Sequence, residues 1–307
     1  MSYRAPLDDI RSALDSAAGL AELIGSGVLD GLDGDVVTSI LTEAGRFADD
    51  VLAPLDGPGD RTGLSFDSGR VKLPSGWSEA YKHWVDGGWS TLSAAPEWGG
   101  QGMPHVVAMA VGEIWNSACL SFGLNPLLTQ GAIEALQVAA SDELKARYLP
   151  KMVAGVWTGT MNLTEPQAGS DLGALKTTAE RQGDGSFRLH GSKIFITYGE
   201  HELTENIIHL VIARIAGAPA GTRGISLFLV PKFIVDADGG VGARNDVVCA
   251  GIESKLGIHA SPTCVMTFGE REGAVGYLVG EENKGLAAMF IMMNRARLAV
   301  GVQGVAV

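Results

Sequence analysis

Apolar positions recur at helical spacing through much of the first half of the chain. The pattern predicts helices over 36–52, 106–115 and 127–139, the first with Asp35 as its N-cap. Ser141, followed by Asp142 and Glu143, marks another start, because a side-chain oxygen and acids suit the exposed N–H groups of a first turn. That helix is expected to run to about 154, with Pro150 late in it. Turn-rich stretches at 54–69 and at 96–104, the latter reading PEWGGQGMP, separate the helices. From about 156 the character changes. Short β-like runs cover 157–163, 175–181, 187–190, 193–197, 207–215, 225–230 and 264–268, divided by Gly, Pro, Asn and Asp. Strands so spaced, without alternating strand–helix order, point to a sandwich or barrel and not to a doubly wound parallel sheet. Helical spacing returns with Leu286, Met289, Phe290, Met293, Leu298 and Val302 and continues to the final residue. The expected architecture is multi-domain α and β. It has an N-terminal helical bundle over 1–155, a small β-barrel over 156–280, and the first helix of a C-terminal helical domain over 281–307.

Composition narrows the class. Hydrophobic residues make up 46% and charged ones 19%, enough to bury cores and too apolar for a disordered chain. The 42 glycines, about twice the usual ~7%, follow no triplet repeat and signal tight turns and close backbone approaches. A net charge of −12 speaks against a nucleic-acid binder. Cys119, Cys249 and Cys264 lie far apart and form no CxxC pair, as expected of a reduced, cytoplasmic setting. The N-terminal stretch lacks the apolar core of a signal peptide, and no run is expected to supply the ~20 apolar residues of a membrane span.

Among motifs, Gly25, Gly27 and Gly31 come near a dinucleotide fingerprint, but no strand precedes them, so they read as loop glycines. His201, Glu205 and His209 would share a face in a helix, at a spacing zinc can use; His209 sits inside the β-like run IIHLVIAR, and no metal site is expected. The stretch MNLTEPQAGSDLGALKT, 161–177, is more telling. It leaves a β run and turns through Pro166 and Gly169, with hydroxyls at Thr164 and Ser170 among small residues. Such a turn brings backbone N–H groups close to an anionic or heterocyclic ligand, and equally describes an ordinary polar turn. In KIFIT, 193–197, Phe195 and Thr197 would point the same way along a strand.

TEPQAGSD followed by GSKIFITYG resembles the signature of the acyl-CoA dehydrogenase family. PEWGGQG, ELKARYLPKMVAG, LVGEENKGL and NRARLAVGVQG resemble further family segments, so the likeness runs from about Ala95 to the last residue. The insert GEHELTENIIHLVIARI, with GIHASPTCVM, is similar to the long bacterial branch. The resemblance implies FAD, an acyl-CoA substrate and removal of hydrogen from its α and β carbons, the cofactor taking the hydride. It implies that Met161, Leu163 and Thr164 line the flavin, that Gly169 and Ser170 approach the pyrophosphate, and that Ser170 is also near the CoA. It places Phe195 on the flavin face away from substrate, Ile196 among the cofactor-binding residues, Thr197 near the reactive nitrogen, and Asn294 and Arg297 beside the acyl-CoA. Phe195 stands where many relatives carry tryptophan, Gln167 where glycine is frequent, and Asn294 where some carry an acid. The family's glutamate base occupies one of two positions; one is Ala296 here and the other falls beyond Val307, so no catalytic base is expected in this chain. Glu165 and Asp171 are expected to cap and hold the turn. The chain is expected to be the front part of a longer protein, to hold FAD weakly by itself and to be inactive alone. The parent protein would pass electrons to an electron-transferring flavoprotein and form a homodimer or tetramer. Alternatives are a non-catalytic half-subunit of a split dehydrogenase and a nucleic-acid-binding relative of alkylation-response flavoproteins.

Overall fold

The computed structural model describes residues 3–29, 32–236 and 238–307. The first helices are α1 (Leu7–Ser16), α2 (Leu20–Gly25) and α3 (Gly34–Phe47). The N-cap of α3 is Asp33, not Asp35: its carboxylate accepts from Val36 N–H at 2.8 Å, leaving Asp35 in the first turn, where an acid also suits the helix dipole. Residues 48–52 form a π-turn that leads directly into α4 (Ala53–Thr62). The expected turn at 54–69 is therefore mostly helix. Pro54, which lacks an N–H, falls just after the π-turn, where the helical hydrogen-bond register changes. A short hairpin, β1 (Ser65–Asp67) and β2 (Arg70–Lys72), precedes α5 (Trp77–Asp86), α6 (His105–Ala118), α7 (Leu120–Ala139) and α8 (Asp142–Val153). Helix α7 begins seven residues earlier than periodicity predicts and carries Pro126 inside it. Burial on both sides of that proline holds the helix together. Ser141 caps α8, its Oγ accepting from Leu144 N–H at 3.3 Å.

The helical core is aromatic. Trp115 meets Phe47, Trp84 and Trp89 edge-on, with ring centroids 6.1, 6.0 and 5.3 Å apart. Trp77, Ile114 and Phe122 complete it.

The second unit is a closed barrel. Its strands are β3 (Trp157–Asn162), β4 (Thr178–Arg181), β5 (Phe187–Thr197), β6 (Asn206–Ile215), β7 (Ile225–Pro231), β10 (Val247–Ile252), β11 (Thr263–Phe268) and β12 (Ala274–Val279), while β8 (Phe233–Val235) and β9 (Val241–Arg244) form a separate two-stranded sheet. The path β5-β12-β7-β6 closes because β4 pairs with both β5 and β6. Strands β11 and β10 extend it beyond β5, and β3 extends it beyond β6. Pairing is antiparallel except for β3 and β4 on β6. The runs at 187–190 and 193–197 are one strand, which passes through Gly191 and Ser192 without a break. Strands β8, β9, β10 and β12 are too short or too glycine-rich to show a period of two. Inside the barrel Phe187 and Phe228 pack against each other with Leu189, Val211 and Phe268.

Helix α9 (Gly285–Ala306) returns to the helical unit and packs on α6, α7 and β7. Its buried face is Gly285, Ala288, Met289, Met292 and Gln303, while Phe290 and Leu298 are exposed. A helix apolar nearly all round gives periodicity no face to choose. By length and composition α9 is also long and apolar enough to cross a membrane, contrary to the sequence expectation. Here it covers one side of the helical unit.

Candidate functional site

The turn after β3 is held from within by a buried ion pair. Lys193 of β5 donates through Nζ to Glu165 Oε1 at 2.8 Å and to the Leu163 carbonyl at 2.9 Å. The same carboxylate accepts from Thr177 Oγ1 at 2.6 Å and, through Oε2, from Lys176 N–H and the Gln167 amide, both at 2.6 Å. Burial pushes the Glu165 carboxyl up, but the ammonium and these donors outweigh it and bring it down to about 2. Lys193 remains the cation of the pair at neutral pH. Glu165 and Ala168 exchange backbone hydrogen bonds at 3.0 Å, which folds EPQA into a tight turn, and Asp171 accepts from Gly173 N–H at 2.9 Å. Both acids thus hold the loop together.

This frame sets out the residues in front of it. Ile194 N–H donates to the Thr164 carbonyl at 2.9 Å and ties the turn to β5. At that point β5 bulges: Ile194 and Phe195 lie opposite the single residue Val265 of β11. Phe195 takes a left-handed φ of 61°, and its ring is 57% exposed, between buried Lys193 and buried Ile196. The bulge aims a large aromatic side chain outward where strict alternation would not. Such a strained conformation is kept where the surroundings fix it, and it clusters at functional sites. Thr197 is half-buried beside it, and Met161 and Thr164 are half-buried on the turn side. Gly169 and Ser170 are exposed, and a Cβ on Gly169 would meet only Thr164, at 3.9 Å. Among the described residues, the backbone N–H groups of Thr164, Gly169 and Ser170 donate to no protein acceptor. An exposed ring, two hydroxyls and free N–H donors beside an open glycine suit a flat heterocycle carrying an anionic tail.

Behind the turn lies a buried polar layer. Thr158 bonds His201 at 3.0 Å and Thr160 bonds His209 at 2.7 Å. Leu203 N–H donates to His201 Nδ1 at 3.1 Å, so His201 Nε2 donates to Thr158. Burial drives both imidazoles neutral, His209 down to about 3. His209 lies on β6, His201 in the loop before it, and Glu205 is exposed, so no helical face gathers the three. His201 is satisfied on both nitrogens, by Thr158 and Leu203 N–H, whereas His209 is bonded only through Nδ1 to Thr160 and its Nε2 is buried without a partner. Gly25 ends α2, Gly27 lies in the turn after it, and Gly31 falls outside the described residues.

On α9, Arg297 Nη1 donates to Asn294 Oδ1 at 2.6 Å, and the guanidinium lies 5.4 Å from the Phe290 ring centroid. Ala296 is half-buried next to them. Sequence reasoning passed over Arg295, which is 11% exposed and donates to Glu134 of α7 at 3.0 Å, to Ser93 at 3.0 Å and to His105 of α6 at 2.9 Å. A lone arginine facing inward from an apolar helix was the available signal. It borders a cleft of about 90 Å³ between α6, α7 and α9, floored by Trp84, Trp89 and Trp115 and walled by Met109, Leu127 and Val302.

Residues 37–156 match the family described as acyl-CoA dehydrogenase, N-terminal domain, and residues 160–270 match acyl-CoA dehydrogenase, middle domain. The chain belongs to the acyl-CoA dehydrogenase family and carries its N-terminal and middle domains. It is 51% identical over its whole length to 3-methylmercaptopropionyl-CoA dehydrogenase of Ruegeria pomeroyi, of which it covers 52%. It is 40% identical over 87% of its length to a butyryl-CoA dehydrogenase of Syntrophomonas wolfei, covering 45% of that protein. The chain therefore spans about half the length of these curated relatives. Its fold is that of the butyryl-CoA dehydrogenase of Megasphaera elsdenii (TM-score 0.71, 23% identity, 90% of this chain and 67% of that one). It also matches the Bacillus anthracis acyl-CoA dehydrogenase solved in complex with FAD (TM-score 0.72, 23% identity, 90% and 43%).

Proposed function

We propose that this chain is the flavin-facing part of an acyl-CoA dehydrogenase that removes the α and β hydrogens of a short acyl-CoA thioester. The observation that carries the reading is the joined turn and bulge: Thr164 and Phe195 are brought together by the 2.9 Å bond from Ile194 N–H to the Thr164 carbonyl. Bound FAD supplies the acceptor for the β hydride. In this reading the Phe195 ring packs on the isoalloxazine, the Ile196 backbone and the Thr197 hydroxyl fix its edge, and Met161, Leu163 and Thr164 line its other side. Gly169 and Ser170 hold the pyrophosphate with backbone N–H and hydroxyl donors. Ser170, Asn294 and Arg297 face the acyl-CoA. The Arg297–Asn294 bond, which holds the guanidinium in one position on α9, supports this reading. Neither Ala296, which takes no proton, nor Glu165, which is fully engaged, serves as acceptor for the α proton.

The cleft between α6, α7 and α9 would take the acyl tail. Its size agrees with the short thioesters in the names of the relatives. Full turnover would need the rest of the parent protein, a homo-oligomeric assembly and an electron-transferring flavoprotein as electron acceptor, with 1–155, 156–280 and 281–307 as this chain's share of the domains. The test is a titration of FAD into the full-length protein, followed by flavin fluorescence. Tight binding, weakened at least tenfold by Phe195→Ala, is expected. Binding indifferent to that substitution would remove the reading.

A further inference from the structure

Where the cleft stops is written in its walls. Along α9 the lining residues run Arg295, Ala299, Val302, and along the facing α7 they run Gln130, Leu127, Gly123. The Arg295–Gln130 end adjoins the core that Leu163 and Met161 share with Leu127, Met292 and Met293, so it is the end beside the proposed flavin site. At the other end the side chains change from apolar to amide. Gln303 of α9 donates through Nε2 to Asn116 Oδ1 of α6 at 2.9 Å, and Asn116 Nδ2 donates to the Gly112 carbonyl at 2.7 Å. Both amides are buried, Gln303 at 8% and Asn116 at 7% exposure. The Asn116 carbonyl oxygen also fills the space over α7: a Cβ on Gly123 would lie 2.4 Å from it. The pair therefore spans α6, α7 and α9 as a plug.

We propose that the Asn116–Gln303 amide pair is the stop that sets the acyl-chain length this protein accepts. This rests on the dehydrogenase reading above. The physical case has two parts. A buried amide pair joined by its own hydrogen bond resists an alkyl chain, because an apolar terminus between them would leave Gln303 Nε2 and Asn116 Oδ1 unpaired. In addition, about 90 Å³ holds only a handful of water- or methylene-sized groups, at roughly 10–15 Å³ each. A chain that runs along the cleft past Gly123 meets the plug at Asn116.

The test uses the full-length, flavin-loaded protein and compares anaerobic flavin reduction by butyryl-CoA and octanoyl-CoA. Gln303→Ala should raise the octanoyl-to-butyryl ratio of kcat/KM at least tenfold, with butyryl-CoA kept within a few-fold of the unmodified protein. Asn116→Ala, cut from the other helix, makes the same prediction and decides the matter if the first variant misfolds. Gln303→Leu keeps the bulk but removes the hydrogen bond, so the ratio should rise by less than in Gln303→Ala, about threefold. An unchanged ratio in both alanine variants, with butyryl-CoA still reducing the flavin, overturns the stop alone. Failure of both thioesters to reduce the flavin of the unmodified protein overturns the dehydrogenase reading and the stop with it.

Discussion

Phe195 combines two properties that substitutions can separate. Its left-handed φ costs a non-glycine residue about 1 kcal/mol or more, whereas glycine adopts it freely. Phe195→Gly should therefore leave the protein as stable as before or raise it by up to about 1 kcal/mol, measured by urea unfolding, while weakening FAD at least tenfold. Stability gained and ligand lost together mark a residue held in strain for function. Lys193 is the converse. Replacing it by methionine leaves the Glu165 carboxylate buried without its counter-ion and should cost about 3–5 kcal/mol in the same assay. The depressed Glu165 carboxyl also fixes a sign. Its contribution to stability is complete above the ordinary carboxylate range near 4.5 and is lost as pH falls toward about 2. The difference in unfolding free energy between the unmodified protein and Glu165→Gln should shrink over that interval. At this scale the sequence was informative about residue type and silent about aim. TEPQAGSD and KIFIT pointed to the turn and strand that the structure joins, and period two put Phe195 and Thr197 on one face. It carried no sign of the bulge, because a bulge depends on the partner strand's register.

Elements were legible where their pattern was strong and their ends were marked by chemistry. Ser141 capped α8 as expected, whereas the cap of α3 moved two residues to Asp33, since two acids in DGD offer the same oxygen and only backbone conformation selects one. Asp33→Ala should cost about 1 kcal/mol, and Asp35→Ala a few tenths, by thermal unfolding. Strands β10 and β12 were missed because glycines interrupt them, although their partners hold them in place. The docking of α9 was likewise invisible. It depends on Gly285, where a Cβ would lie 2.2 Å from the Ser226 carbonyl carbon and 2.4 Å from Leu227 N. Backbone atoms there have nowhere to go, so Gly285→Ala should destabilise by about 1–3 kcal/mol and raise the proteolytic sensitivity of α9.

Over the whole molecule, specific polar contacts join the helical unit and the barrel, among them Tyr198 to the Ser121 carbonyl and Gly159 N–H to Thr129. Another is His259, in the loop before β11, whose Nδ1 lies 2.9 Å from Asp60 of α4 and whose Nε2 lies 2.8 Å from the Lys255 carbonyl. Two acceptors favour the doubly protonated ring, and the hydrogen bond to Asp60 raises its pKa. This contact therefore contributes below about 6.5 and is lost as pH rises through the higher folded value. The order helices, barrel, helix was plain in the alternation of periods, but the closure of the barrel through β4 was not, because it requires β4 to pair on both edges. The central claim concerns the molecule as one device: a barrel that presents Phe195 to a flavin beside a short helical cleft. Its most direct measurement is the visible absorbance of the flavin in the full-length protein, recorded anaerobically as butyryl-CoA is added. The account predicts that the unmodified protein carries flavin that bleaches on addition and that Phe195→Gly retains little of it. A protein that retains no flavin, or whose flavin stays oxidised in excess thioester, would contradict it.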